Sequence, residues 1–211
     1  MPQFILWDHD GVLVDTERWY FVATRKALAH FDVCLDEATY LDFMACGRSC
    51  WDLAREKGIS KQAISSQKTQ RDFLYQRYLQ TEDIEIEGVL NVLQELGRTF
   101  KMAIVTTARR EDFYLIHQSR KLVDYIEFTI TVEDYSNPKP HPEPYLTALR
   151  RFGTDPSEAI AIEDSIRGLR AARDAGLDCI IVKNHFTSSQ DFSGAWKVLD
   201  SIRELPSLLG P

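Results

Sequence analysis

The stretch that decides the fold is FILWDHDGVLVDT, residues 4–16. Its first four residues are apolar on both alternating faces, which is typical of a strand buried on both sides in a helix-covered parallel sheet. Two acids, Asp8 and Asp10, follow at the carboxyl end of this strand. Because parallel α/β sheets bind ligands at the carboxyl ends of their strands, the stretch predicts both the sheet and the position of a site.

The spacing of these two acids points to metal chemistry. Side chains alternate along an extended chain, so Asp8 and Asp10 point the same way, and Gly11 allows a sharp turn just beyond them. Two close carboxylates repel each other unless a cation lies between them, and a hard cation such as Mg²⁺ prefers oxygen ligands. Asp and Gly are also common turn formers, so the segment alone leaves an ordinary turn open.

Composition and charge limit the classes of protein. The 211 residues carry a net charge of −7, and the length suffices for one full α/β domain plus a smaller insert. The acidic charge argues against a nucleic-acid partner and favours a small ligand. No apolar run is long enough to span a bilayer, charged residues from position 8 leave no room for a signal peptide, and the four cysteines form no CxxC pair. We therefore expect a cytoplasmic monomer or weak dimer with no membrane partner.

Two regions of the chain differ in their hydrophobic pattern. The first predicts only helices, at 17–30, 36–45, 49–57 and 61–80. The second alternates helices at 88–97, 111–120, 142–152 and 166–175 with strands at 101–106, 127–131, 158–162 and 178–182, and a closing helix is expected around 199–204. Repeated βα winding predicts an α/β fold with a Rossmann-like parallel sheet and helices on both faces.

The domain organisation follows from the position of the first strand, which must join a sheet whose other strands begin only after residue 100. Residues 16–84 are therefore predicted to form a helical cap domain inserted after that strand, and residues 1–15 and 85–211 to form the α/β core domain. An insertion at this position covers the site, where a helical lid excludes water and contacts a substrate.

Two later segments carry groups suited to phosphate. Thr106 and Thr107 end a strand, where threonine hydroxyls and the backbone N–H groups of the next turn bind anions; threonine also caps helices, and both roles are compatible. Lys139 lies between two prolines. A lysine held there neutralises an aspartate nucleophile and a transferring phosphoryl group, although an exposed lysine in a Pro-rich connector is the alternative.

A second acid pair, Glu163 and Asp164, ends the strand predicted at 158–162. Acids before a helix are stabilised by the helix dipole, which is one explanation for the pair. The other explanation is a magnesium site. Magnesium binds oxygen ligands from more than one strand, and Asp164 beside Asp8, with the backbone carbonyl of Asp10, would supply them.

These segments, in this order, resemble the haloacid dehalogenase superfamily, in its phosphatase and β-phosphoglucomutase-like branch with a helical cap. The matching segments are DHDGVLVDTE at 8–17, EGVLNVLQELGRTFKMAIVTT at 87–107, KPHPEPYLTAL at 139–149 and IEDSIRGLRAARDAG at 162–176. They span nearly all of the predicted core, and the combination is specific where any single motif would be weak.

The resemblance implies a role for each matching position. Asp8 corresponds to the nucleophile and Asp10 to the general acid/base, and Lys139 is both paired with Asp8 and a phosphate ligand. Thr106 and Thr107 correspond to the phosphate-binding loop. The implied Mg²⁺ site uses Asp8, Asp10 and Asp164, with help from Glu163.

The sequence also departs from the family pattern. His9 stands where an apolar residue is common, and Asn137 replaces a frequent glycine before the lysine. Tyr20 stands where many capped relatives, including the mutases, carry a histidine. The turn at 47–49 resembles a substrate-facing turn of the cap, which makes Arg48 and Tyr20 candidate substrate residues.

The function that these features favour is a Mg²⁺-dependent phosphatase acting on a small phosphorylated metabolite through an aspartyl-phosphate intermediate. Dehalogenases and phosphonate hydrolases of the superfamily lack the second aspartate, so Asp10 favours phosphoryl transfer. A β-phosphoglucomutase-like sugar-phosphate mutase is the alternative. A phosphorylatable signalling domain of the receiver type fits less well because of the insertion, and a non-catalytic binding protein because every core catalytic position is present.

Overall fold

The computed structural model describes residues 2–210 of the chain and divides it into two compact units. The first comprises residues up to Asp15 together with residues from Glu85 onward, and is called the α/β unit below. The second, Thr16–Ile84, is called the helical unit. Met1 and Pro211, at the two ends of the predicted core domain, lie outside the described residues.

The α/β unit is built on a parallel sheet of six strands within the described residues, in the order β3-β2-β1-β4-β5-β6. The strands are β1 (Phe4–Trp7), β2 (Lys101–Val105), β3 (Phe128–Ile130), β4 (Ala159–Glu163), β5 (Asp178–Val182) and β6 (Lys197–Leu199). The central strand β1 is flanked by β2 and β4, with Trp7 in register with Ile104 and Ile162. All of these pairings are parallel, so the carboxyl ends of the central strands meet at one edge.

Helices cover both faces of this sheet, as the sequence predicted. They are α5 (Val89–Leu96), α6 (Arg110–His117), α7 (Glu143–Phe152), α8 (Ile166–Asp174) and α9 (Leu205–Leu209). Ile5 and Trp7 pack on one face with residues of α5, α6 and α9, whereas Leu6 packs on the other with residues of α7 and α8. A strand buried on both sides explains why the first segment of the sequence is apolar without alternation.

The helical unit contains α1 (Glu17–Ala29), α2 (Glu37–Cys46), α3 (Asp52–Glu56) and α4 (Lys61–Thr81). Aromatic pairs join α1 to α4, with ring centroids of Trp19 and Tyr78 5.2 Å apart and those of Tyr20 and Tyr75 also 5.2 Å apart. Ser60 caps α4 by accepting a hydrogen bond from the N–H of Ala63, which explains where that helix begins.

One predicted element is wrong. The closing helix expected around 199–204 is replaced by β6, a 3₁₀ turn at Ile202–Glu204 and α9. The edge strand β6 has only three residues, too few to show the alternating hydrophobic pattern of a strand. Helix α9 has a proline in its first turn, where the missing N–H costs nothing. Among residues 2–210, no helix is long and apolar enough to cross a membrane.

Candidate active site

The carboxyl edge of the sheet gathers a buried lysine and two acids. The Asp8 N–H donates to the carbonyl of Ile162 at 2.8 Å, which continues the pairing of β1 with β4 and fixes the Asp8 backbone. Lys139 Nζ donates to Asp8 Oδ1 at 2.8 Å, to Glu163 Oε1 at 2.6 Å and to the Val105 carbonyl at 2.8 Å. An ammonium group has three protons, so each one has an acceptor here.

Lys139 is a buried residue rather than the exposed connector lysine that the sequence left open. Its Nζ lies 4.7 Å from the centroid of the Tyr145 ring, and the Tyr145 hydroxyl donates to Glu163 Oε1 at 2.8 Å. Burial opposes the charge of Lys139, but the carboxylates of Asp8 and Glu163 outweigh burial and raise its pKa above the ordinary value. The lysine is therefore a permanent positive charge beside Asp8.

The carboxyl of Asp8 experiences a surplus of negative charge. Burial, followed by the charge of Glu163, raises its pKa to about 7 against the opposing effect of Lys139. A divalent cation at this position would favour the ionised form, because a bound metal is the largest local charge in such a site.

Glu163 is fully buried and accepts hydrogen bonds at both of its oxygens. Oε1 receives Lys139 and Tyr145, while Oε2 receives the N–H of Asp164 at 3.1 Å and the Ser165 hydroxyl at 3.1 Å. A Cβ at Gly168, in the first turn of α8, would overlap the Glu163 carboxylate, so only glycine fits there. These contacts show how the chain stabilises a buried carboxylate.

Asp164 is held by a residue that the sequence reasoning missed. Asn184 Nδ2 donates to Asp164 Oδ2 at 2.7 Å and to the Gly11 carbonyl at 3.2 Å. Gly11 has a φ of 84°, and a Cβ there would clash with both side chains, which explains the glycine after the second acid. Asn184 follows β5, and the rule that sites form at the carboxyl ends of parallel strands was the available signal.

Three acids can supply oxygens to a metal ion. One carboxylate oxygen each of Asp8, Glu163 and Asp164 lies within 4.8 Å of the others. This donor set of hard oxygens with excess negative charge fits a cation such as Mg²⁺. Because both Glu163 oxygens already accept hydrogen bonds, the donor set fits best with Glu163 beside the ion rather than bound to it.

Asp10 lies at the edge of the same site and contacts the loop after β2. The Thr106 hydroxyl donates to Asp10 Oδ2 at 3.2 Å and accepts from the Ala108 N–H at 2.9 Å within the loop. The alternative of a threonine helix cap is wrong, because the N-cap of α6 is Arg109. Thr107, next along the loop, is half-buried. His9 Nδ1 contacts the same Asp10 oxygen at 3.3 Å.

The two candidate substrate residues of the helical unit have partners within that unit. The guanidinium of Arg71 lies over the Tyr20 ring at 4.3 Å. Arg48 bonds Glu56 at 3.0 Å and lies 4.3 Å over the Phe43 ring. The assignment of Tyr20 and Arg48 to substrate binding stays a prediction.

Fold and site together define an α/β enzyme with an acidic, oxygen-rich site at the carboxyl edge of its sheet. The chain belongs to the haloacid dehalogenase-like hydrolase family, whose model matches residues 5–182. The resemblance seen in the sequence motifs is thereby confirmed.

Individual relatives match along most of the chain. Protein CbbY of Cereibacter sphaeroides is 30% identical, covering 100% of this chain and 96% of its own length. The pyrophosphatase PpaX of Bacillus pumilus is 30% identical over 82% of this chain and 79% of its own. The crystal structure of CbbY from Rhodobacter sphaeroides in complex with phosphate is 25% identical, with a TM-score of 0.82 and coverage of 97% and 96%.

Proposed function

We propose that this chain is a Mg²⁺-dependent phosphatase that hydrolyses a small phosphorylated metabolite through an aspartyl-phosphate on Asp8. The observation that carries the proposal is the contact of Lys139 Nζ with Asp8 Oδ1, at 2.8 Å, inside a buried cluster of acids. Burying a lysine with two carboxylates is costly for stability, and such a cluster is expected where its charge serves chemistry.

In the first step, an Asp8 oxygen attacks the phosphorus of the substrate and the bond to the leaving oxygen breaks. Asp10 donates its proton to that leaving oxygen, which departs as an alcohol. Lys139 stays charged throughout and stabilises the negative charge that develops on the phosphoryl oxygens. The Thr106 loop supplies backbone N–H groups to the same oxygens.

In the second step, Asp10 is ionised and accepts a proton from water, and the water oxygen attacks the phosphorus of the aspartyl-phosphate. The acyl phosphate bond breaks, inorganic phosphate leaves and the Asp8 carboxylate is restored. Because Asp10 gives one proton and takes one back, the cycle closes.

Asp8, Asp164 and the backbone of Asp10 are the proposed holders of Mg²⁺, which when bound would neutralise the phosphoryl oxygens and the carboxylates around it. Glu163 is proposed to orient Lys139 rather than to bind the ion, because its Oε1 receives Lys139 at 2.6 Å. Asn184 orients Asp164 through the 2.7 Å bond to Oδ2.

The helical unit is the proposed cap, with Tyr20 and Arg48 as proposed substrate residues. Relatives support a phosphorylated small molecule as substrate, since one is named a pyrophosphatase and the solved CbbY structure contains phosphate. Tyr20 in place of the histidine that mutases carry favours hydrolysis over isomerisation.

The test is a phosphate-release screen over inorganic pyrophosphate, sugar phosphates, phosphoglycolate, nucleoside monophosphates and p-nitrophenyl phosphate, with Mg²⁺ and with EDTA. We expect Mg²⁺-dependent release from at least one monoester. Release no greater than that of the Asp8→Asn variant would overturn the proposal. Product identification on the sugar phosphates separates the mutase: isomerisation faster than any hydrolysis, and dependent on a bisphosphate, would replace the phosphatase.

A further inference from the structure

His9 and His117 form a buried pair that the proposed chemistry leaves unused. His9 lies between Asp8 and Asp10 and is fully buried, and His117 is the last residue of α6 and also buried. Their Nε2 atoms are 2.8 Å apart, well within hydrogen-bonding distance. The two residues are 108 positions apart in the chain, so the contact connects α6 to the first motif.

The two facing Nε2 atoms form one hydrogen bond between the rings. Burial, followed by the neighbouring His9 and Arg120, lowers the pKa of His117 to about 3. When His117 carries its hydrogen on Nε2, it donates to Nε2 of His9, and the hydrogen of His9 then lies on Nδ1, facing the Asp10 carboxylate. Phe113 packs against both rings, with its ring centroid 5.1 Å from that of His9 and 4.5 Å from that of His117.

The His9 ring in turn contacts the proposed general acid/base. Its Nδ1 lies 3.3 Å from Asp10 Oδ2, the oxygen that also receives the Thr106 hydroxyl at 3.2 Å. A ring that is fixed at Nε2 by His117 presents Nδ1 to Asp10 in one orientation. Asp10 Oδ2 is thereby held from two sides, by the loop after β2 and by the ring of His9.

We propose that His117 is a positioning residue for Asp10, acting through the His9 ring in the chain His117–His9–Asp10. The inference rests on the proposed function, because it assigns to Asp10 the protonation of the leaving oxygen. The apolar residue that is common between the two aspartates of the family's first motif can bond neither Asp10 nor a residue at position 117. The proposed positioning of Asp10 therefore depends on His9 and His117 of this chain.

The test compares a substrate that needs the acid with one that does not. An alkyl leaving group such as that of glycerol 3-phosphate needs a proton as it departs, whereas p-nitrophenolate leaves unaided. The measured quantity is kcat/KM, which reports the steps up to transfer of the phosphoryl group to Asp8. Loss of a positioned acid lowers kcat/KM for the alkyl ester only. General damage to the fold or to the nucleophile lowers kcat/KM for the alkyl ester and for p-nitrophenyl phosphate alike.

The principal variant is His117→Phe, which keeps a ring against Phe113 and removes the nitrogen. We expect kcat/KM for glycerol 3-phosphate to fall about tenfold, below the full 10²–10⁴ value of a general acid, and that for p-nitrophenyl phosphate to change less than about twofold. His117→Gln, whose amide nitrogen and oxygen can reach the position of Nε2, is expected to retain most of the kcat/KM for glycerol 3-phosphate that His117→Phe loses. Tyr114→Phe, on the exposed side of α6, is the matched control and should change neither substrate.

A double-mutant cycle decides whether His117 acts through His9. In a His9→Phe background, His117→Phe is expected to cost nothing further, because the bond it removes is already gone. An equal loss on both substrates, failure of His117→Gln to restore activity, or additive effects in the cycle would each overturn the proposal. If the unmodified protein releases phosphate from no ester of the screen above at any Mg²⁺ concentration, the proposed function itself fails, which is a distinguishable result; if it accepts another alkyl ester, that ester takes the place of glycerol 3-phosphate.

Discussion

The ion pair Lys139–Asp8 of the α/β unit and the pair Arg48–Glu56 of the helical unit use charge in opposite ways. The side chains of the first are 4% and 12% exposed, and those of the second are 49% and 63% exposed. An exposed pair contributes about 0–1 kcal/mol to stability. A buried pair has a desolvation cost that can exceed its Coulombic gain. The comparison teaches that a buried ion pair is expected where its charge serves chemistry, whereas the exposed pair adds little to stability.

The largest effect is expected for Asp8→Asn. The amide cannot act as nucleophile, so turnover should fall by about 10⁴-fold or more. The fold should persist, because the amide oxygen can still accept from Lys139 and the loss of a negative charge relieves the effect of burial and the repulsion by Glu163, which raise the pKa of Asp8. Phosphate release and thermal unfolding of the purified variant are the measurements. Activity above a contamination control would remove Asp8 from the role.

Asp164→Ala is expected to raise the Mg²⁺ concentration for half-maximal activity by about 100-fold, because a proposed ligand is lost. Asn184→Ala, which removes only the group that orients Asp164, should raise it by about tenfold. Titration of activity with Mg²⁺ measures both. An unchanged titration for Asp164→Ala would show that this acid serves only the helix end.

A pair of glycine variants tests the packing difference between the units. Gly168→Ala inserts a methyl group into the Glu163 carboxylate and should lower the free energy of unfolding by about 3 kcal/mol. Gly47→Ala, in the helical unit, meets no described atom within 4 Å and has only the strain of its φ of 68°, about 1 kcal/mol. Urea unfolding compares them. Equal losses would contradict the tight packing inferred around Glu163.

The pH dependence of stability offers a smaller effect. Burial first, then His9 and Arg120, lower the pKa of His117 from 6.5 to about 3, against an opposing contribution from Asp10. Between these values the unfolded chain binds a proton that the folded chain does not, so stability is full above pH 6.5 and falls as the pH is lowered.

The expected loss at His117 is about 2 kcal/mol between pH 6.5 and pH 5. His117→Gln should remove this part of the pH dependence of the free energy of unfolding, while the exposed His30→Gln in the helical unit should leave it unchanged. If the free energy of unfolding changes with pH by the same amount in the unmodified protein and in His117→Gln, His117 is protonated in the folded state.

The smallest effect is expected for Arg48→Ala. Loss of an exposed pair with Glu56 should change the free energy of unfolding by less than about 0.5 kcal/mol. If Arg48 contacts the substrate as proposed, KM should rise about threefold with kcat unchanged, because binding alone is weakened. Unchanged KM across all accepted substrates would leave Arg48 as a surface residue.

The sequence was a good guide wherever the signal was local. The apolar run at residues 4–7 predicted a strand buried on both faces, and β1 is such a strand, paired with β2 and β4. The acids after it, Thr106 after β2 and Glu163 at the end of β4 were all predicted at strand ends. Parallel strands bring those ends to one edge, so motif order was enough to place them together.

Contacts between residues that are far apart in the sequence could not be predicted in the same way. Asn184 carries no motif, yet it bonds Asp164 and the carbonyl of Gly11. The roles of Glu163 and Tyr145 around the lysine depend on how α7 and α8 pack on one face of the sheet. Likewise, His9 was visible only as a departure from the family pattern, because its partner His117 is 108 residues away.

By itself, the sequence determined the order of strands β1 to β5 and of the helices between them, the parallel sheet and the set of acids, threonine and lysine at its edge, because period, apolar runs and strand ends are local properties. The tertiary structure alone decided which oxygen each donor reaches. Lys139 Nζ bonds Asp8 and Glu163 at once, and Asp10 is held by Thr106 and His9. Whether a hydrogen bond forms depends on the donor–acceptor distance to within a few tenths of an ångström, and only the packed arrangement of strands and helices defines that distance.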